Sequence, residues 1–183
     1  MNSISRNTVI LCLLGVLFLA PGFAALYFFK HPEWLSRHTT NKGQFVDPPL
    51  LIPSLRNASN KWHLLLWSPN DCREGCVRPV EQLARIRLAL GRHFYEVNQM
   101  LLIGDRSNSL PERLMEILHR HGVDVDHLPL IEEQALLDHS RQMRFFIANP
   151  DGFLVLSYAV TAQPDDVYRD LKQLLTTTHT KSN

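Results

Sequence analysis

Two cysteines, Cys72 and Cys76, stand in a C-x-x-x-C arrangement and are the residues best equipped to do chemistry in this chain. A pair at that separation can close an internal disulfide or share one soft metal ion, since thiolates select Cu(I) and Zn(II) over hard cations. The third cysteine, Cys12, lies within an apolar stretch and reads as a lipid-facing or packed thiol. An odd total argues against a disulfide framework, so the arithmetic is one pair plus a spectator. Pro79 constrains the geometry around the pair. Its ring would clash with a preceding helical turn, so a helix containing it cannot begin much before Cys76. Cys76 is thereby placed in a first helical turn, with Cys72 in the loop just ahead. Unpaired N–H groups and the helix dipole favour an anion there, which enhances thiolate character. Arg73 and Arg78 add positive charge, partly offset by Asp71 and Glu74. The bland alternative is two unrelated loop cysteines, but structural cysteines rarely pair at such a corner with a glycine, Gly75, between them.

The elements that position this corner follow from periodicity. Trp62-His63-Leu64-Leu65-Leu66-Trp67 is apolar on both faces, as a strand in the middle of a covered sheet should be. After the polar Ser68-Pro69-Asn70-Asp71, Val80, Leu83, Ile86 and Leu90 recur at helical spacing, and Gly91 is placed to end that helix. Met100-Leu101-Leu102-Ile103 is a second central strand. A second helix opens at Pro111 and carries Leu114, Ile117 and Leu118 before Gly122. Residues 123–140 read as a strand plus a short helical turn. Phe145-Phe146-Ile147 and Phe153-Leu154-Val155-Leu156 flank Asn149-Pro150-Asp151-Gly152, a strong hairpin signal. A last helix starts at Pro164 and shows Val167, Leu171, Leu174 and Leu175 on one face. The order β-α-β-α, an intervening piece, then β-β-α specifies an α/β domain with a mixed sheet covered by helices. That is the order of a thioredoxin-like domain.

Ahead of this domain, residues 8–29 run without a charge, long enough to cross a hydrocarbon core. Pro21 and Gly22 interrupt the run, and membrane helices tolerate both. A cleavable signal peptide is the rival reading, because Gly22-Phe23-Ala24 offers small residues; the apolar run continuing to Phe29 favours an uncleaved anchor. Arg6 flanks one side and Lys30, Arg37 and Lys42 the other, so positive charge does not orient the segment. An export-type amino terminus places the domain on the non-cytoplasmic side. The organisation expected is a single transmembrane helix over residues 1–30, a Pro/Asn/Ser/Thr-rich linker and lead-in over 31–60, the thioredoxin-like domain over 61–178, and a tail over 179–183.

Composition excludes other classes. With 19 basic against 18 acidic side chains the net charge is +1, and no Lys/Arg run marks a nucleic-acid footprint. His119-Arg120-His121 are helix-end histidines facing different ways rather than a metal site. Asn57-Ala58-Ser59 matches a glycosylation acceptor, a triplet too common to carry weight. No P-loop, dinucleotide fingerprint, H-E-x-x-H or G-x-S-x-G occurs.

The segment from Trp67 through Cys76, after an apolar strand and before an amphipathic helix, resembles the copper-binding region of the Sco/SenC proteins. The likeness extends to Asn149-Pro150-Asp151-Gly152, the closing helix and the anchor, and the lead-in from Asn41 to Pro49 is similar to shorter Sco-like bacterial transmembrane proteins. The resemblance implies a membrane-tethered, thioredoxin-fold factor of cytochrome c oxidase assembly, with its soluble domain on the periplasmic side of the inner membrane. It implies copper, Cu(I) or Cu(II), bound by Cys72, Cys76 and the histidine of an Asp-His-Ser step, here Asp138-His139-Ser140; His127 and His63 are weaker alternatives. The partner implied is an oxidase subunit or another assembly factor. The same pair could instead serve as a thiol-disulfide oxidoreductase, Cys72 attacking as the more exposed thiol and Cys76 resolving. Where a true thioredoxin has a proline before the third strand, Gln142-Met143-Arg144 stand, which argues against a general disulfide reductase. A domain that only binds a partner, with incidental thiols, is the remaining class.

Overall fold

The computed structural model describes residues 6–30, 41–56, 60–69, 72, 74–104 and 110–181. Two compact units result, residues 1–40 and 41–183. In the first, α1 (Arg6–Lys30) is a helix that contains Pro21. Its stretch Thr8–Tyr27 is long and apolar enough to cross a membrane. The Cys12 side chain lies outside the described set.

In the second unit the elements run β1 (Gln44–Leu51), β2 (Trp62–Ser68), α2 (Val77–Ala89), β3 (Val97–Gly104), α3 (Glu112–His121), β4 (Asp124–Leu128), α4 (Leu130–His139), β5 (Arg144–Ala148), β6 (Phe153–Ala159) and α5 (Pro164–Lys181). One six-stranded sheet has the order β1-β6-β5-β2-β3-β4. The β2/β3 and β3/β4 pairs are parallel; β1/β6, β6/β5 and β5/β2 are antiparallel. This is the mixed, helix-covered sheet expected of a thioredoxin-like fold.

Strand β2 lies in the interior of the sheet and is buried along nearly its whole length. Alternation sends its residues to opposite faces. Leu64 and Leu66 join one core with Val80, Leu83 and Ile86 of α2, Leu114 and Leu118 of α3, and Val167 and Leu171 of α5. Leu65 and Trp67 join the other with Leu136 of α4, Phe146, and Val46, Ile52 and Leu55 from the lead-in. Each fully buried leucine among them contributes about 1.5–3 kcal/mol.

Two elements differ from the sequence reading. Residues 44–51, read as part of a lead-in lying on the domain, form an edge strand against β6, with the register shifting between Phe45 and Leu50. Pro48 and Pro49 occupy that irregular stretch, and an edge strand tolerates them because one side makes no ladder bonds. The stretch read as a short helical turn before residue 140 is a ten-residue helix, α4.

The lead-in is fastened at both ends of β1. The Asp170 carboxylate on α5 accepts hydrogen bonds at Oδ2 from Lys42 N–H (2.7 Å), Gly43 N–H (2.8 Å) and the Tyr158 hydroxyl (2.8 Å). Burial first, then the bond to Asp170, push the Tyr158 phenol well above its ordinary range, so it remains a donor. At the other end, Ile52 N–H donates to Gly152 O (2.9 Å) in the hairpin turn. That turn is closed by Gly152 N–H to Asn149 O (3.0 Å), with Asn149 Oδ1 accepting from Phe153 N–H (2.9 Å). Gly152 has φ +86°, which favours glycine.

Candidate dithiol site

Cys72 follows the end of β2, and a short 3-10 turn, Glu74–Cys76, leads into α2. Cys76 is the N-cap of α2, with φ −85° and ψ −17°. No side-chain hydrogen bond from Cys76 caps this end, and the first turn carries no acid. Pro79 sits in the first turn, where a missing N–H costs nothing. The corner expected from Pro79 is therefore the corner found. Arg78 is exposed beside it; Asn70, Asp71 and Arg73 lie outside the described residues, as does the side chain of Glu74.

The two cysteines are joined as a disulfide, with a Cα–Cα separation of 5.5 Å, within the range that needs no backbone movement. Both belong to the core shared with Leu66 and Val80. The sequence reading has Cys72 as the more exposed of the two thiols and the attacking one. In the oxidised protein Cys72 is 2% exposed and Cys76 0%, so both residues are buried, Cys72 the less completely. Two residues missed by the sequence reading belong to this side of the sheet, and one of them, Ser68, touches the pair. Ser68, read as loop, is the last residue of β2 and is buried, with its hydroxyl oxygen 3.8 Å from Cys76 Sγ. Met143, noted only as standing where a proline was expected, packs half-buried against the same core. The signal that could have found them is alternation: Ser68 shares a face with Leu66, and Met143 with Phe145.

His139 is the last residue of α4 and is exposed. Its ring lies 6.0 Å, centroid to centroid, from that of Phe146. Phe146 belongs to the core on the other side of the sheet, and the neighbouring Ser140 O accepts from Trp67 Nε1 (3.2 Å) on that same side. His139 thus stands near the same end of β2 as the dithiol but against the opposite face. His63 is buried at the far end of β2, where burial pulls its pKa below the ordinary value. His127 is exposed on β4, two strands from β2. Among the described residues no three His, Cys, Asp or Glu side chains converge to hold a metal ion.

A dithiol at the helix-capping corner of a helix-covered mixed sheet defines a thioredoxin-fold protein, here following an apolar N-terminal helix. Residues 62–178 match the family model described as the transmembrane-like, thioredoxin-like, C-terminal domain, and the chain belongs to that family. No curated protein matches the sequence. Among solved structures, the apo Sco1 protein from Thermus thermophilus is similar at 19% identity, covering 75% of this chain and 98% of its own, with a TM-score of 0.52. Arabidopsis thaliana ScoI with copper bound is similar at 12% identity, covering 67% of this chain and 89% of its own, also with a TM-score of 0.52. The fold is that of the Sco proteins.

Proposed function

We propose that this chain is a membrane-tethered copper-handling or thiol-redox factor acting in cytochrome c oxidase assembly, on the periplasmic side of the inner membrane. The observation that carries the reading is the Cys72–Cys76 pair at the N-terminus of α2, in a fold shared with copper-bound Arabidopsis ScoI. The Trp67–Cys76 segment that resembles the Sco copper region supports it. Copper is cargo in this reading. An external dithiol donor first reduces the disulfide: its thiolate attacks one sulfur, its second thiol resolves the mixed disulfide, and two electrons and two protons pass to Cys72 and Cys76. The reduced pair then takes one Cu(I), releasing two protons, and yields it to an oxidase subunit or another assembly factor by ligand exchange. His139, the third ligand that the resemblance implies, has its ring beside that of Phe146.

The pair, closed as a disulfide in the structure, also supports a second version of the same site. There the reduced pair gives its electrons to a disulfide of the partner, Cys72 attacking and Cys76 resolving, and ends in the oxidised form. Anaerobic Cu(I) competition titration of the full-length reduced protein in detergent separates the versions. One equivalent held tightly, and lost in Cys72→Ser/Cys76→Ser, supports copper handling; no tight binding leaves the redox version. Restoration of oxidase activity in a deletion strain by the double serine variant would reject both and leave a partner-binding domain.

A further inference from the structure

We infer that the third donor of the copper site is the thioether of Met143, on the dithiol's own side of the sheet; the inference rests on the copper version of the proposed function. Strand β5 pairs antiparallel with β2, with Leu66 opposite Phe145 and Trp67 opposite Arg144. Met143 immediately precedes β5, and extending that register one step past the ladder sets it beside Ser68. Residues opposite each other across such a pair have Cβ atoms about 4.5–5.5 Å apart. Ser68 in turn holds its hydroxyl oxygen 3.8 Å from Cys76 Sγ. Alternation puts Ser68 on the face of Leu66 and Met143 on the face of Phe145, and both of those residues line the core that contains Cys72 and Cys76. Met143 packs against that core and is half-buried, so its side chain reaches inward while one side stays open. An unbranched thioether with three rotatable bonds can swing onto a metal without moving the strand.

The donor chemistry fits. Two thiolates and one thioether are all soft, a set that suits Cu(I) and offers nothing to hard cations. The neutral thioether leaves the loaded site with one net negative charge, against two negative charges for the bare thiolates. The imidazoles are worse placed: His139 lies on the Phe146 face, His63 at the opposite end of β2, and His127 out on β4.

The test uses the full-length protein in detergent, reduced and kept anaerobic, titrated with Cu(I) against a chromophoric chelator and examined by copper X-ray absorption. Met143→Leu is expected to weaken Cu(I) binding at least about tenfold, the lower bound seen even for residues outside the ligand shell. The sulfur count at copper should fall from three to two in that variant, and His139→Ala should change neither readout. Met143→Leu must also close its disulfide and unfold at the wild-type urea midpoint. Should it misfold, selenomethionine labelling of the unsubstituted protein answers the question, since a copper–selenium vector is expected and its absence overturns the inference. Wild-type affinity in Met143→Leu, with three sulfurs retained or with affinity lost in His139→Ala instead, removes Met143 and leaves the proposed function standing. Failure of the wild-type protein to bind Cu(I) rejects the copper version and this inference together.

Discussion

Replacing Asp170 by alanine is expected to release the lead-in strand, at a cost that follows from its hydrogen bonds. Asp170 is 3% exposed, and one of its oxygens takes three donors. The Lys42 N–H is only partly buried and can turn to water. The Gly43 N–H and the Tyr158 hydroxyl are buried and cannot. Hydrogen bonds to a charged group are worth about 1.5–3 kcal/mol each, so the two stranded donors give a loss of about 3–6 kcal/mol. With a urea m-value of about 2 kcal/mol/M, the midpoint should drop by roughly 1.5–3 M at unchanged m. Tyr158→Phe removes one donor and leaves the carboxylate two, so about half that loss is expected. The double variant should lose less than the sum, because the two substitutions break one shared bond. Gly43→Ala should also weaken the clasp, since a Cβ there would come within 2.6 Å of the Tyr158 hydroxyl oxygen. Urea unfolding followed by near-ultraviolet circular dichroism checks all four variants. A loss below about 1 kcal/mol for Asp170→Ala, or an equal loss for Tyr158→Phe, would refute the shared-acceptor account.

Three further outcomes are expected. Gly152→Ala should cost about 1–3 kcal/mol, from its positive φ and from a Cβ 2.8 Å from Ile52 O; an unchanged urea midpoint would contradict that. Burial lowers the folded-state pKa of His63 below 6.5, so under that pH the unfolded chain binds the extra proton. Its contribution is complete above pH 6.5 and is lost as pH falls below it; the unfolding midpoint should drop on acidification, and drop less in His63→Leu. Ser68→Ala removes a hydroxyl able to donate to the Cys76 thiolate, so the reduced form loses about 1 kcal/mol and the pair's potential should fall by about 20 mV in dithiothreitol equilibria. A potential that rises or stays put would show that the hydroxyl does not serve the sulfur.

The dithiol corner was legible in sequence because everything that makes it is local. An apolar run makes β2, Pro79 fixes where α2 can start, and Cys72 and Cys76 fall between them by chain connectivity. The helix faces of α2, α3 and α5, and the Asn149–Gly152 turn, were legible for the same reason, since period and turn chemistry operate within a few residues. Strand β1 was not, because Pro48 and Pro49 hide its pattern and it exists as a strand only by pairing with β6, about a hundred residues on. His139 shows the same limit. Sequence places it in an Asp-His-Ser step, but α4 docks Leu136 into the core on the Trp67 face, and that packing carries His139 to the Phe146 side. Residue types, helix starts and the thiol spacing are thus properties of the chain itself. Which side chains reach the core that holds Cys72 and Cys76 depends on strand register and on the side of the sheet each helix covers, and a shift of β5 by one residue would turn Phe145 away from it.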